Sequence, residues 1–286
     1  MPPTTYNFET TSNQEVVLSS DFRIPFDKVR GDKLRARDEL KGKIVSLGGN
    51  RPSGMVLVGE YISEEPTQGS DIENILFYNI DQSGVAFAGA TTQGMRFLHT
   101  LRTPEPTDGP GRLHQYRYRF CPVAAETMKI SFEFEMENLD KTTTAGIVWR
   151  EASLSLAKCG VVGEPVGGAF KLAVHILVPE KKDLFLAKMV KPLLDGTISA
   201  LQEMTFEPRP ELLARLSTLL NIEPSEIKSL LGTSESKILG KRKILVFPFG
   251  KGVKWNPEDE RLKECDISIG KTKNAKFGIK VLVGGL

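Results

Sequence analysis

The stretch KPLLDGTISALQ, residues 191–202, decides how the second half of this chain is read. It follows a strand-like run, GGAFKLAVHILV (167–178), so the two together make a strand–helix step. Pro192 suits a first helical turn, where its missing N–H costs nothing. Leu194, Ile198, Leu201 and Met204 then recur at helical spacing on one face. The spacing predicts a helix opening near Lys191, with Asp195 one turn in. Gly196 costs about 1 kcal/mol against Ala inside such a helix, which points to a close approach there. Asp195 has two readings: a carboxylate that stabilises the helix N-terminus through the dipole, or a ligand of a metal site.

Downstream, PRPELLARLSTLLNIEPSEIKSLLG (208–232) reads as two short helices. Leu212, Leu216 and Leu219 form an apolar stripe. Asn221 ends the first helix in a left-handed turn, Pro224 opens the second and Gly232 ends it. A helix-turn-helix DNA reader has this outline. The second helix, however, offers only Ser225, Glu226, Lys228 and Ser229 to a groove, so the pair reads as a structural helical insertion at about 205–240. KRKILVFPF (241–249), the polar turn NPEDE (256–260) running into RLKECDISIGK, and KFGIKVLVGG (276–285) supply strands.

Upstream, the chain is β-rich. EVVLSS (15–20) reads as an arm or edge strand, and GMVLVGEYI (54–62) and IENILFYNI (72–80) as further strands. GVAFAGATTQGMRFLHTL (84–101) continues in that style, with Gly marking bends. Between Lys28 and Lys41 the cations Arg30, Lys33, Arg35 and Arg37 make a solvated, salt-bridged face, with Val29, Leu34 and Leu40 too sparse to specify a helix. RLHQYRYRF (112–120) and KISFEFEMEN (129–138) alternate strictly. The first sets His114, Tyr116, Tyr118 and Phe120 opposite Arg117 and Arg119. The second sets Ile130, Phe132, Phe134 and Met136 opposite Glu133, Glu135 and Glu137. Their complementary rows predict an antiparallel pair, Arg against Glu.

Bulk properties bound the function. With 38 basic and 36 acidic residues the net charge is +2, which excludes a large cationic surface but not a local basic groove. Cys121, Cys159 and Cys265 are odd in number and far apart, as in a reducing compartment. The polar N-terminus, MPPTTYNFETTSNQ, lacks the apolar core of a signal peptide, and no apolar run has membrane-spanning length. These features predict a cytoplasmic soluble protein. His99, His114 and His175 have no catalytic spacing, and GKGVK (250–254) lacks the ending of a phosphate loop.

From residue 168 to 284 the order is strand, Lys-Pro helix, acidic turn, strand, strand. This segment resembles the RusA-type Holliday-junction resolvases. In that family Lys/Arg-Pro-Asp-x-Asp-Asn opens a helix and Asp-Asp-x-Gln followed by an apolar residue opens the next strand. Lys191, Pro192 and Asp195 match the first motif; Glu258, Asp259 and Leu262 match the second. The resemblance implies a Mg²⁺-dependent endonuclease acting on DNA or RNA, and a homodimer. It makes Asp195 and Asp259 catalytic metal ligands, with Glu258 assisting at the metal. Phosphodiester hydrolysis needs such a hard cation, held by oxygen ligands from converging elements. Leu193 stands where the family has its first Asp, Gly196 where it has Asn, and Ser199 where it has a basic residue. The alternative is a non-catalytic interaction or assembly protein that kept the scaffold and lost the metal site. The expectation is an α+β protein: a β-rich region over 1–160 and a mixed α/β region over 161–286.

Overall fold

The computed structural model describes residues 6–12, 14–64, 71–103, 114–123, 128, 130–161, 164–232 and 236–286. Along the chain these form β1 (Tyr6–Ser12), β2 (Glu15–Ser20), α1 (Gly31–Gly49), β3 (Met55–Ser63), β4 (Gly94–Leu101), β5 (His114–Pro122) and β6 (Ile130–Met136). Then come α2 (Ala145–Cys159), β7 (Phe170–Pro179), α3 (Leu186–Ala200), β8 (Glu203–Met204), α4 (Pro210–Leu220) and α5 (Pro224–Leu231). The last elements are β9 (Lys241–Arg242), β10 (Val246–Phe249), β11 (Gly252–Trp255), β12 (Leu262–Thr272) and β13 (Phe277–Gly285). The protein is α+β. It divides into two compact units: residues 1–126 with 185–188 and 262–270, and residues 127–184 with 189–261 and 271–286. Residues 127–160 therefore group with the second unit, not with the β-rich first region in which the sequence reading placed them.

In the first unit the strand order is β1-β2-β5-β3-β4-β12. All neighbours are antiparallel except β3 and β4, which run parallel. A parallel pair needs a crossover, and this corrects the strand reading of 72–80 and 84–93. Asn74–Tyr78 is a turn of π-helix, closed by Asn79 N donating to Asn74 O at 2.8 Å, and Val85–Phe87 is a 3₁₀ turn. Phe77 and Phe87 pack with ring centroids 4.1 Å apart, and Tyr118 Oη donates to Leu76 O at 2.6 Å. An apolar run of this length serves a strand or a buried turn equally well; the parallel register selects the turn. EVVLSS is no edge, since β2 lies between β1 and β5. Most of the charged stretch does form a helix, α1, from Gly31 to Gly49, seated on Ala36, Leu40, Ile44 and Leu47.

The predicted pairing of 112–120 with 129–138 does not occur. Each segment is a strand with the predicted inward row: Tyr116, Tyr118 and Phe120 in β5, and Phe132, Phe134 and Met136 in β6, are buried. But β5 pairs with β2 and β3 in the first unit, while β6 pairs with β13 in the second. Arg117 and Arg119 meet Glu15 and Glu60, whereas Glu133 meets Lys280 and Glu137 meets Lys276. Alternation fixes which face a side chain takes; any strand with acidic residues in the right register can answer an Arg row.

The second unit holds the three antiparallel strands β7-β13-β6, with α2 packed on β6. The α4–α5 pair forms as expected: Asn221 caps α4 at φ 54°, and Pro224 opens α5. Leu220, not Leu219, completes the buried stripe with Leu212 and Leu216, and Leu219 is 52% exposed. The α4–α5 pair packs on α2, and α4 also packs on the β10–β11 hairpin. Trp149 of α2 stacks on Trp255 of β11 at 5.0 Å.

Candidate functional site

The helix that carries Asp195 opens earlier than its Lys-Pro pair suggested. Helix α3 begins at Leu186, so Pro192 sits inside it and Asp195 lies in its second half. The helix N-terminus therefore does not account for Asp195: the dipole effect falls off within the terminal turn, and Asp195 lies beyond it. Its neighbour one turn back does account for it. Lys191 Nζ lies 3.3 Å from Asp195 Oδ1 and 3.7 Å from Asp259 Oδ2. One carboxylate oxygen of Asp195 and one of Asp259 lie within 4.8 Å of each other. Both side chains are largely shielded, at 14% and 11% exposure, while Lys191 is 36% exposed.

Asp259 is held there by the short 3₁₀ turn Asp259–Arg261, which follows Pro257. Arg261 clamps that turn. Its guanidinium donates to Gly168 O at 2.6 Å, Leu239 O at 2.9 Å and Val166 O at 2.9 Å, and it pairs with Glu258 Oε2 at 2.8 Å. Glu258 also takes Arg242 Nη1 at 3.2 Å, and its backbone N–H donates to Gln202 Oε1 at 3.2 Å. The Glu258 carboxylate is thus engaged by two guanidiniums that brace the turn. Glu260, which the motif did not single out, brings a carboxylate oxygen within 4.8 Å of Asp259.

The positions where the chain departs from the resolvase motif are filled by packing. Leu193 and Ser199 are fully buried. A Cβ on Gly196 would stand 2.5 Å from Ala145 O and 2.6 Å from Val148 Cβ, so α2 is the close approach that Gly196 permits. The C-terminal end of α3 is tied by Lys237, whose Nζ donates to Ala200 O at 2.9 Å. Burial pushes the Lys237 pKa down to about 8 against a raising effect of Glu203.

Chemically, the Asp195 and Asp259 carboxylates and the Lys191 ammonium together carry one net negative charge. Mg²⁺ keeps several waters and takes one or two protein carboxylates, so this donor set fits it. Oxygens bound to one Mg²⁺ lie about 3–4 Å apart, given metal–oxygen distances near 2.1 Å, which asks for little or no closure. Lys191 offers the alternative: an ammonium already paired with both acids.

Among the described residues, no helix is long and apolar enough to cross a membrane. No protein-family model matches the chain, and no curated protein does. A solved cyanuric acid hydrolase is similar over 81% of this chain at 9% identity, with a TM-score of 0.16. The match spans 59% of that hydrolase chain, and at this level it carries no conclusion about fold or activity.

Proposed function

We propose that the second unit is a divergent, Mg²⁺-dependent nuclease module in which Asp195 and Asp259 hold the cation. The observation that carries this reading is the approach of their carboxylate oxygens to within 4.8 Å, from a helix and a turn far apart in sequence. The bound cation would supply Lewis acidity at a phosphodiester and a more acidic water. Asp195 and Asp259 would fix it in place, and Lys191 would hold the scissile phosphate's charge once its two carboxylate partners turn to the metal. With Leu193 in place of a third ligand, cation affinity is low and turnover slow. The test is Mn²⁺ binding followed by electron paramagnetic resonance, run beside cleavage assays on branched and linear DNA and RNA. Wild type binds Mn²⁺ and cuts; Asp195→Asn and Asp259→Asn lose both. Absence of Mn²⁺ binding and of cleavage in wild type overturns the proposal.

A second reading rests on the Lys191 bridge. Its ammonium reaches both carboxylates, which makes a structural ion triad in a protein that assembles and does not cut. On that reading Lys191→Met is markedly destabilising, because it leaves two shielded carboxylates facing each other. Mn²⁺ then fails to restore the lost stability.

A further inference from the structure

We infer that the β10–β11 hairpin is a stacking platform for single-stranded nucleic acid. From Lys241 to Trp255 the chain carries five cations and no carboxylate; Lys241 and Arg242 pair with Glu203 and Glu258, which leaves Lys243, Lys251 and Lys254 for the platform. The hairpin pairs Val246 with Trp255 and Phe247 with Lys254, so one face holds Val246 and Trp255 and the other holds Phe247, Phe249 and Lys254. On the first face Val246 and Trp255 are buried, with Trp255 against Trp149, while Pro248 nearer the turn is exposed. On the second, Phe247 is half-buried and Phe249 is 64% exposed, with Lys254 Nζ 5.9 Å from the Phe249 ring centroid. Phe206 (44% exposed) donates its backbone N–H to Lys243 O, on a further exposed lysine just ahead of the hairpin. Lys243 and Lys251 form no ion pair among the described residues.

The platform is rigid where it counts. Gly250 (φ 54°) and Lys251 make a two-residue turn, and Arg215 Nη1 of α4 holds it through Gly250 O at 2.7 Å and Gly252 O at 3.1 Å. An exposed ring on a fixed frame, beside exposed ammonium groups, matches the two demands of a single strand: a π-face for a base and cations for its phosphates. A duplex hides its base faces, so the ring would find nothing to stack on. The turn carries Lys251 beside Phe249, so the vesicle competitor is the arm of the test that separates a single strand from an anionic membrane surface.

The inference does not depend on the metal reading, and the test separates the two by working in chelator. Binding of fluorescein-labelled oligothymidylate to the full chain is measured by anisotropy in EDTA across a salt series. A duplex of equal length and phosphatidylserine–phosphatidylcholine vesicles serve as competitors. Wild type binds the single strand in preference to the duplex, and Phe249→Ala weakens binding on the order of tenfold or more, as loss of one stacked base requires. Phe249→Tyr retains it. Lys251→Ala and Lys254→Ala each lower the slope of log affinity against log salt by about 0.7. All three positions are open to solvent, and a melting curve for each variant confirms that its fold is intact. No binding by wild type, binding indifferent to Phe249→Ala, or vesicles displacing the oligonucleotide would each overturn the inference.

Discussion

Replacing Gly196 with Ala should destabilise the protein, although the same change in an open helix stabilises it. The added Cβ falls 2.5 Å from Ala145 O, 2.6 Å from Val148 Cβ and 2.9 Å from Val148 Cγ1. Carbon atoms pack best near 3.5–4.0 Å, so α2 and α3 would have to part by about 1 Å. Ala145 O belongs to the backbone at the first turn of α2, where the Thr144 side chain accepts from Ile147 N, so it cannot yield as a side-chain tip can. Overpacking of this kind costs roughly 1–3 kcal/mol, and a backbone clash belongs at the upper end. The gain in helix propensity returns about 1 kcal/mol, leaving a net loss of about 2 kcal/mol. Gly42, exposed in α1 with nothing within 4 Å of a built Cβ, is the control; there Ala should add about 0.5–1 kcal/mol. Both tryptophans, Trp149 and Trp255, lie in the second unit, so urea unfolding followed by Trp fluorescence reads Gly196→Ala directly. Far-UV circular dichroism reads Gly42→Ala. A Gly196→Ala protein as stable as wild type would refute the packing account of this glycine and return it to the candidate site as a residue of another kind.

Three further outcomes follow from named groups. Arg261→Lys should lower stability by roughly 1–3 kcal/mol in the same fluorescence assay, because an ammonium cannot serve three carbonyls and a carboxylate in fixed directions. His99 has its pKa lowered to about 4, by burial first and by Lys263 second, while its Nε2 lies 3.0 Å from Ser63 Oγ. The unfolded chain then holds more protons between about pH 6.5 and 4, so stability should fall as pH drops through that window. His99→Gln should flatten this part of the melting-temperature profile; an unchanged slope would refute the burial argument. Lys237, lowered to about 8 by burial, acts at the other end. The unfolded chain again holds the extra proton from pH 8 upward, so stability should rise between pH 8 and 10, and Lys237→Met should remove that rise.

How much of this was legible in the residues varies with the kind of signal. Asn221, Pro224 and the Leu212–Leu216 spacing placed α4 and α5 correctly, because caps and a helical repeat act within a few residues of themselves. The inward rows of β5 and β6 were equally plain, since a period of two is local. Their partners were not: Arg117 answers Glu15 and Glu60, and Glu133 answers Lys280, and no local pattern distinguishes these from the pairing expected.

At the candidate site it was the resemblance to the resolvase motifs, and no local pattern, that joined Asp195 with Asp259. The sequence alone predicted that Gly196 admits a close neighbour, without naming α2 as that neighbour. Only the tertiary structure decided that α3 opens at Leu186, which moves Asp195 away from the helix N-terminus and makes Lys191 its electrostatic partner. Only the tertiary structure turned Glu258 towards two guanidiniums and buried Leu193. The physical reason is range. Caps, turns and periodicity are fixed by neighbours along the chain, whereas the charge that answers a carboxylate, the strand that answers an Arg row and the helix that answers a glycine are brought up by burial from far along it.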